Sequence, residues 1–240
     1  MKVLFLVRDK EHPATRYRVT QYLDYLNHND VQTEVAVFPR TFFEWWVLTG
    51  RTGNFDIIFI QKKRVTPFWL KRLGQKSKLI YDFDDAVMFN SSRHDSSDSP
   101  IRMRHFVNTL RCVDGVIAGN PYLKSLSDLH HTKVWVLPTS IDMERYPLHE
   151  RSDTGQVTLG WVGGAKSLGF LKALQPVLDR VYERYHNTGR GGSPHTVLKI
   201  VCSEFFEPVK MPIIKKPWSE PGEVADIMTF DIGLAPLPDD

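Results

Sequence analysis

Short apolar runs recur along this chain, and each one stops abruptly at charged or turn-forming residues. Val3-Leu4-Phe5-Leu6-Val7 ends in Arg8-Asp9-Lys10, and residues 55–61, 79–81, 114–118 and 134–137 follow the same plan. Such runs predict strands buried on both faces, while residues 31–38 alternate into one more strand. Between them, residues 15–26 place Tyr17, Tyr22, Leu23 and Leu26 at helical spacing, and residues 67–73 also suit a helix. Strands that alternate with helices predict an α/β protein built on a doubly wound parallel sheet.

The pattern then starts again. Residues 147–155 are polar and charged. Residues 157–162 form a new apolar run, Gly163-Gly164 a tight turn, and residues 168–185 one long amphipathic helix. Residues 186–195 are rich in Gly, Ser and Pro, a loop composition, and residues 197–202 and 231–234 supply further strands. The expectation is two Rossmann-like domains, 1–150 and 151–240, with about three strands in the second. Three strands are few for an open parallel sheet. The chain also stops in Pro236-Leu237-Pro238-Asp239-Asp240, so the second domain is expected to be incomplete.

Composition narrows the chemistry. With 240 residues, 42% hydrophobic and 25% charged, the chain can bury an ordinary core without cross-links. Cys112 and Cys202 stand far apart and form no C-x-x-C pair, which argues against a disulfide scaffold, a zinc site and a dithiol redox motif. The net charge of +3 comes from interspersed charges of both signs, so no nucleic-acid partner is expected. The apolar start is too short for a signal segment, and no run approaches a membrane span. The expected location is the cytoplasm, or the inner face of a membrane. Arg40-Thr41-Phe42-Phe43-Glu44-Trp45-Trp46-Val47-Leu48, aromatic with basic flanks, suits either a helix on a membrane surface or one packed on its own sheet.

Several segments carry polar chemistry at strand ends, where doubly wound sheets bind ligands. Residues 8–15 contain no glycine, which counts against a dinucleotide site after the first strand. Arg16 and Arg18 begin the helix there instead. Tyr81-Asp82-Phe83-Asp84-Asp85 packs three acids at one strand end, an arrangement that needs cations, donors or a proton nearby. Such a cluster can act as a general base, bind sugar hydroxyls or hold a metal. Gly160-Trp161-Val162-Gly163-Gly164-Ala165-Lys166-Ser167 joins a strand to a helix, so backbone amides and Lys166 could meet a phosphate.

Taken in order, these segments resemble GT4-like glycosyltransferases of the GT-B fold. The resemblance rests on Arg16-Tyr17-Arg18, Tyr81-Asp82-Phe83-Asp84-Asp85, and Val116-Ile117-Ala118-Gly119-Asn120-Pro121-Tyr122-Leu123. It continues through Leu137-Pro138-Thr139-Ser140-Ile141-Asp142, Leu159-Gly160-Trp161-Val162-Gly163 and Asp231-Ile232-Gly233-Leu234-Ala235-Pro236-Leu237. It implies transfer of a sugar from a nucleotide diphosphate-sugar donor to a saccharide or lipid-linked acceptor, with retention of configuration and neither metal nor other cofactor. By this resemblance Gly163, Gly164 and Lys166 contact the donor diphosphate, and Asp84 and Asp85 line the reacting centre. Arg16, Arg18, Asp82 and Asn120 serve the acceptor. Ala165 departs from the arginine or serine usual after the glycines, and the Gly-Lys and acidic segments usual beyond Pro236-Leu237 do not follow.

Three other readings stay open. Asp82-Phe83-Asp84 after a strand looks like the D-x-D signature of haloacid dehalogenase-type phosphohydrolases, with Asp82 as nucleophile and Asp84 as acid/base beside Mg²⁺. Ala86 departs from that pattern, and the strands that precede the motif are too many. A metal-dependent single-domain (GT-A) transferase could also use these acids, although the restart near residue 155 opposes it. The third reading is a non-catalytic binding fragment.

Overall fold

The computed structural model describes residues 1–90, 96–147, 155–185, 196–207 and 210–237. The chain divides into two compact units, Met1–Asp142 and Met143–Asp240. The expected seam at 150/151, the loop at 186–195 and the last three residues lie outside the described residues.

The first unit runs β1 (Lys2–Val7), α1 (Pro13–Arg18), α2 (Leu23–His28), β2 (Gln32–Val37), α3 (Phe42–Gly50), β3 (Ile57–Gln61) and α4 (Pro67–Leu73). It continues with β4 (Lys78–Phe83), α5 (Pro100–Leu110), β5 (Gly115–Ala118), α6 (Pro121–Asp128) and β6 (Val134–Val136). All six strands are parallel, in the order β2-β1-β3-β4-β5-β6. Helices cover both faces, so Leu4, Leu6, Ile58, Ile60 and Val116 are buried on one and Val3, Phe5 and Val7 on the other. The helix expected over 15–26 is two short ones separated by residues 19–22.

Two local devices recur. Helices α1, α4, α5 and α6 begin with proline, whose missing N–H costs nothing in the first turn. The residues ahead of three of them, His12, Ser99 and Asn120, accept a first-turn N–H through their side chains. At the opposite edge of the sheet, an aspartate just before a strand ties down its neighbour. Asp56 Oδ2 accepts the Lys2 N–H at 2.7 Å, and Asp114 Oδ2 accepts the Leu79 N–H at 2.9 Å.

The aromatic segment after β2 is α3. Trp45 is buried and stacks on Trp69 of α4 at 5.4 Å, whereas Phe42, Phe43 and Trp46 remain exposed. Arg72 lies 4.1 Å above the Trp46 ring. Among the described residues no helix is long and apolar enough to cross a membrane.

The second unit contains β7 (Val157–Val162), α7 (Leu168–Ala173), α8 (Gln175–Tyr185), β8 (Thr196–Val201), β9 (Ile213–Lys216), α9 (Glu223–Ile227) and β10 (Ile232–Gly233). Its parallel sheet has the order β10-β7-β8-β9. It has one more strand than expected, because β9 is mostly exposed and gives no apolar run. The long helix expected over 168–185 breaks at Leu174 into α7 and α8. The aspartate device reappears here, with Asp231 Oδ2 accepting the Thr158 N–H at 2.5 Å.

Candidate functional site

In the first sheet the chain moves from β1 outward to β2 and then returns to β3 on the other side. The crossovers diverge there and leave a crevice at the carboxyl ends of β1 and β3, the place where open α/β sheets bind ligands. A cleft of about 640 Å³ occupies it, lined by Arg8, Arg40, Lys62, Lys63 and Arg64 together with His12, Thr15, Phe38 and Asp85.

The acidic rim borders this cleft, and its three aspartates are not equivalent. Asp82 is 1% exposed. Arg18 Nε donates to its Oδ2 at 2.8 Å and Oδ1 at 3.1 Å, and Nη2 donates to Oδ1 as well. Arg18 Nη1 donates onward to the Leu137 carbonyl at 3.0 Å and to Thr139 Oγ1 at 3.1 Å. Burial opposes the Arg18 charge, yet the Asp82 carboxylate outweighs it and raises the guanidinium pKa. Arg18 and Asp82, both expected to serve the acceptor, are buried and bonded to each other. The pair instead braces β4 against α1 and the segment after β6.

Asp84 and Asp85 share one cation. Lys62 Nζ lies 2.5 Å from Asp84 Oδ1 and 2.8 Å from Asp85 Oδ2. Burial works to lower the Lys62 ammonium, but its hydrogen bonds to the two carboxylates prevail and raise it. The Lys62 backbone is left-handed, at φ 54°, which is uncommon outside glycine. Its N–H donates to the Asp82 carbonyl at 2.7 Å, and its own carbonyl accepts from the Tyr81 hydroxyl at 3.2 Å. These bonds hold the turn that aims the amine at the rim. Across the rim, a side chain at Gly119 would place Cβ 2.7 Å from Asp84 Cα, so β5 approaches Asp84 as closely as only glycine permits. Sequence reading missed Lys62. The signal available was the basic run Lys62-Lys63-Arg64 directly after an apolar strand.

Of the other expected acceptor residues, Asn120 sits at the end of β5, where its side-chain oxygen accepts the Leu123 N–H at 2.8 Å and caps α6. Arg16 is half-buried beside Tyr17, donating to its hydroxyl at 2.7 Å. Among the described residues no group of three or more His, Cys, Asp or Glu is placed to hold a metal. The buried, ion-paired state of Asp82 also disfavours the phosphohydrolase reading, which needs that carboxylate as an exposed nucleophile.

The second sheet has its own switch point, between β7 and β10. The loops that leave its carboxyl ends are Gly163-Gly164-Ala165-Lys166-Ser167 and Leu234-Ala235-Pro236-Leu237, both singled out in the sequence. A side chain at Gly163 would lie 2.5 Å from Trp161 Cζ2, so this glycine makes room for the buried indole. Gly164 is exposed, has an ordinary backbone (φ −78°, ψ 154°), and has nothing within 4 Å of where a Cβ would be. Lys166 is exposed in the short 3₁₀ turn Ala165–Ser167 that precedes α7.

No protein-family model matches this sequence, and no curated protein matches it. Solved structures do. An α-glucosyltransferase in complex with UDP and a 13-mer DNA containing an HMU base superposes with TM-score 0.59 at 12% identity, covering 97% of this chain and 71% of that one. An α-glucosyltransferase in complex with UDP gives 0.56 at 11% identity, with coverage of 97% and 72%. The UDP-GlcNAc 2-epimerase from Methanocaldococcus jannaschii gives 0.53 at 9% identity, with coverage of 94% and 76%. The fold is GT-B. Identities this low carry the GT-B architecture and not the narrower GT4 grouping.

One expectation is overturned by these comparisons. Nucleic acid was not expected as a partner, yet GT-B α-glucosyltransferases of similar structure are described in complex with DNA, so nucleic acid can be a partner for this fold. Interspersed charge along a sequence was a poor guide, because folding gathers Arg8, Arg40, Lys62, Lys63 and Arg64 from three separate strand ends into one cleft.

Proposed function

We propose that the protein is a nucleotide-sugar-dependent glycosyltransferase whose second unit binds the donor at the β7/β10 switch point and whose first unit holds the acceptor. The observation that carries this reading is the open backbone at Gly164, which lies at a switch point with room for a ligand to approach the main chain. The two α-glucosyltransferases of similar fold are described with UDP, which supports a uridine nucleotide as one donor to test.

Cleavage of the sugar–phosphate bond builds negative charge on the leaving diphosphate and positive charge on the anomeric carbon. Backbone donors around Gly164 and the Lys166 ammonium suit the first, and fixed donors of this kind typically contribute about 3–4 kcal/mol to the transition state. Asp84 and Asp85 suit the second. We further infer a retaining, metal-independent transfer that needs no cofactor beyond the donor, in keeping with the GT4-like motifs. In its support, the Lys62 ammonium already stands between Asp84 and Asp85, where a divalent ion would otherwise bridge them.

The test is a thermal-shift screen of the full natural chain with UDP-, GDP- and ADP-sugars. At least one should raise the melting temperature, since ligand at a hundredfold excess over Kd stabilises by about 2.7 kcal/mol. Gly164→Leu should keep the unliganded melting temperature and lose the response. Silence from every nucleotide sugar sinks the proposal.

A further inference from the structure

The β1/β3 cleft of the first unit carries more cations than the acidic rim uses. Lys62 is committed to Asp84 and Asp85. Arg8 continues β1, Arg40 follows β2, and Lys63 and Arg64 follow β3, so all four enter one concavity from three strand ends. Among the described residues no carboxylate forms an ion pair with any of these four. Two acids close by are already engaged: Asp85 by Lys62, and Glu44, whose Oε2 accepts the Arg40 backbone N–H at 2.7 Å.

Like charges brought together repel, and at Lys63 this repulsion adds to burial. Desolvation by the cleft walls lowers its pKa, and the charges of Arg8 and Arg40 lower it further. Its ammonium is nevertheless held in place, 4.8 Å from the centroid of the Phe38 ring, which is itself buried. A concave group of cations whose one lining acid, Asp85, is already paired with Lys62 is destabilising alone and is relieved by an anion.

We propose that this cleft binds a phosphate group carried by a small-molecule acceptor, with Arg8, Arg40 and Lys63 as its cationic partners. The acceptor role rests on the transferase reading above; the anion site itself does not. Size favours a small molecule, because about 640 Å³ lies within the ~300–1,000 Å³ usual for such sites.

The experiment titrates the full natural chain, at fixed ionic strength, with inorganic phosphate, hexose phosphates, the matching unphosphorylated hexoses and a short DNA duplex. Phosphate and at least one hexose phosphate should bind, and the plain hexoses should bind at least tenfold more weakly. Arg40→Gln and Lys63→Gln should each weaken hexose-phosphate binding roughly tenfold, the usual worth of one charged hydrogen bond. Arg8→Gln is a third, independent variant. Absence of phosphate binding, or binding in all three variants as tight as in the unsubstituted protein, overturns the site. Binding of duplex DNA at far lower concentrations than any hexose phosphate, lost in the same variants, overturns it in favour of nucleic acid. Donor response in the thermal-shift assay should be unchanged by these substitutions. If the donor response is absent while phosphate binding follows the variants, the transferase reading fails and the anion site stands.

Discussion

Lys62 Nζ lies 2.5 Å from Oδ1 of Asp84, and it reaches that carboxylate from a backbone held at φ 54°. A strained turn thus supplies the cation that an acidic strand end requires. The Tyr81 hydroxyl and the Asp82 carbonyl fix the turn from the neighbouring strand, so rim and counter-ion are positioned by the same two strands, β3 and β4.

That geometry separates two contributions that one substitution would mix. Lys62→Met and Lys62→Gly both remove the amine, but only the glycine relieves the left-handed backbone. The relief is worth about 1–2 kcal/mol, reduced by about 0.4–1 kcal/mol for the looser unfolded glycine chain. Urea denaturation should therefore find Lys62→Gly more stable than Lys62→Met by about 0.5–1 kcal/mol. Equal stabilities would show that the fold does not impose this conformation.

The Arg18–Asp82 pair should behave as a unit. Asp82→Asn leaves a guanidinium that is almost wholly buried without its carboxylate, and breaking such a pair costs about 3–5 kcal/mol. Replacing both, as Arg18→Met with Asp82→Leu, removes the charge problem and should cost far less than the two single changes together. Denaturation of the two singles and the double gives the coupling energy directly. A double variant as unstable as the summed singles would remove the case for a mutually satisfied brace.

How much of this was legible in the sequence depends on the distance between partners. The strands were readable because each apolar run is local, and residues 157–162 and 67–73 emerge with the boundaries expected. Strand β9 was not, since only Ile213 and Ile214 interrupt a polar, proline-flanked stretch. The acids at 82, 84 and 85 were visible as a cluster, but their division into one buried brace and two rim groups was not. Arg18 and Asp82 lie 64 positions apart, and only the register of β1, β3 and β4 brings α1 over the end of β4. The basic cleft was missed for the same reason, because its cations come from three strand ends.

Alkaline pH should weaken the first unit through Tyr81. Its phenol is fully buried, and desolvation raises its pKa above the ordinary 10.0. Lys62 is also raised above its ordinary 10.5. Both groups hold their protons more tightly in the folded chain than in the unfolded one. Above pH ~10 the unfolded state therefore binds fewer protons, and stability falls as pH rises. Melting temperatures between pH 8 and 11 should drop, and Tyr81→Phe should flatten the drop relative to wild type. An unchanged slope in that variant would place the alkaline sensitivity elsewhere.

The two glycines after β7 should respond in opposite directions to the same substitution. Alanine at Gly163 puts a methyl group 2.5 Å from Trp161 Cζ2, and the indole is buried, so the ring or the turn must move. Overpacking of this kind costs about 1–3 kcal/mol. Alanine at Gly164 meets nothing within 4 Å, and its φ of −78° and ψ of 154° suit any residue. There the restricted unfolded chain should add about 0.4–1 kcal/mol of stability. Thermal or urea denaturation of Gly163→Ala and Gly164→Ala reads both signs at once. A destabilised Gly164→Ala would mean that its neighbourhood is closed, and the open approach on which donor binding is argued would be lost with it.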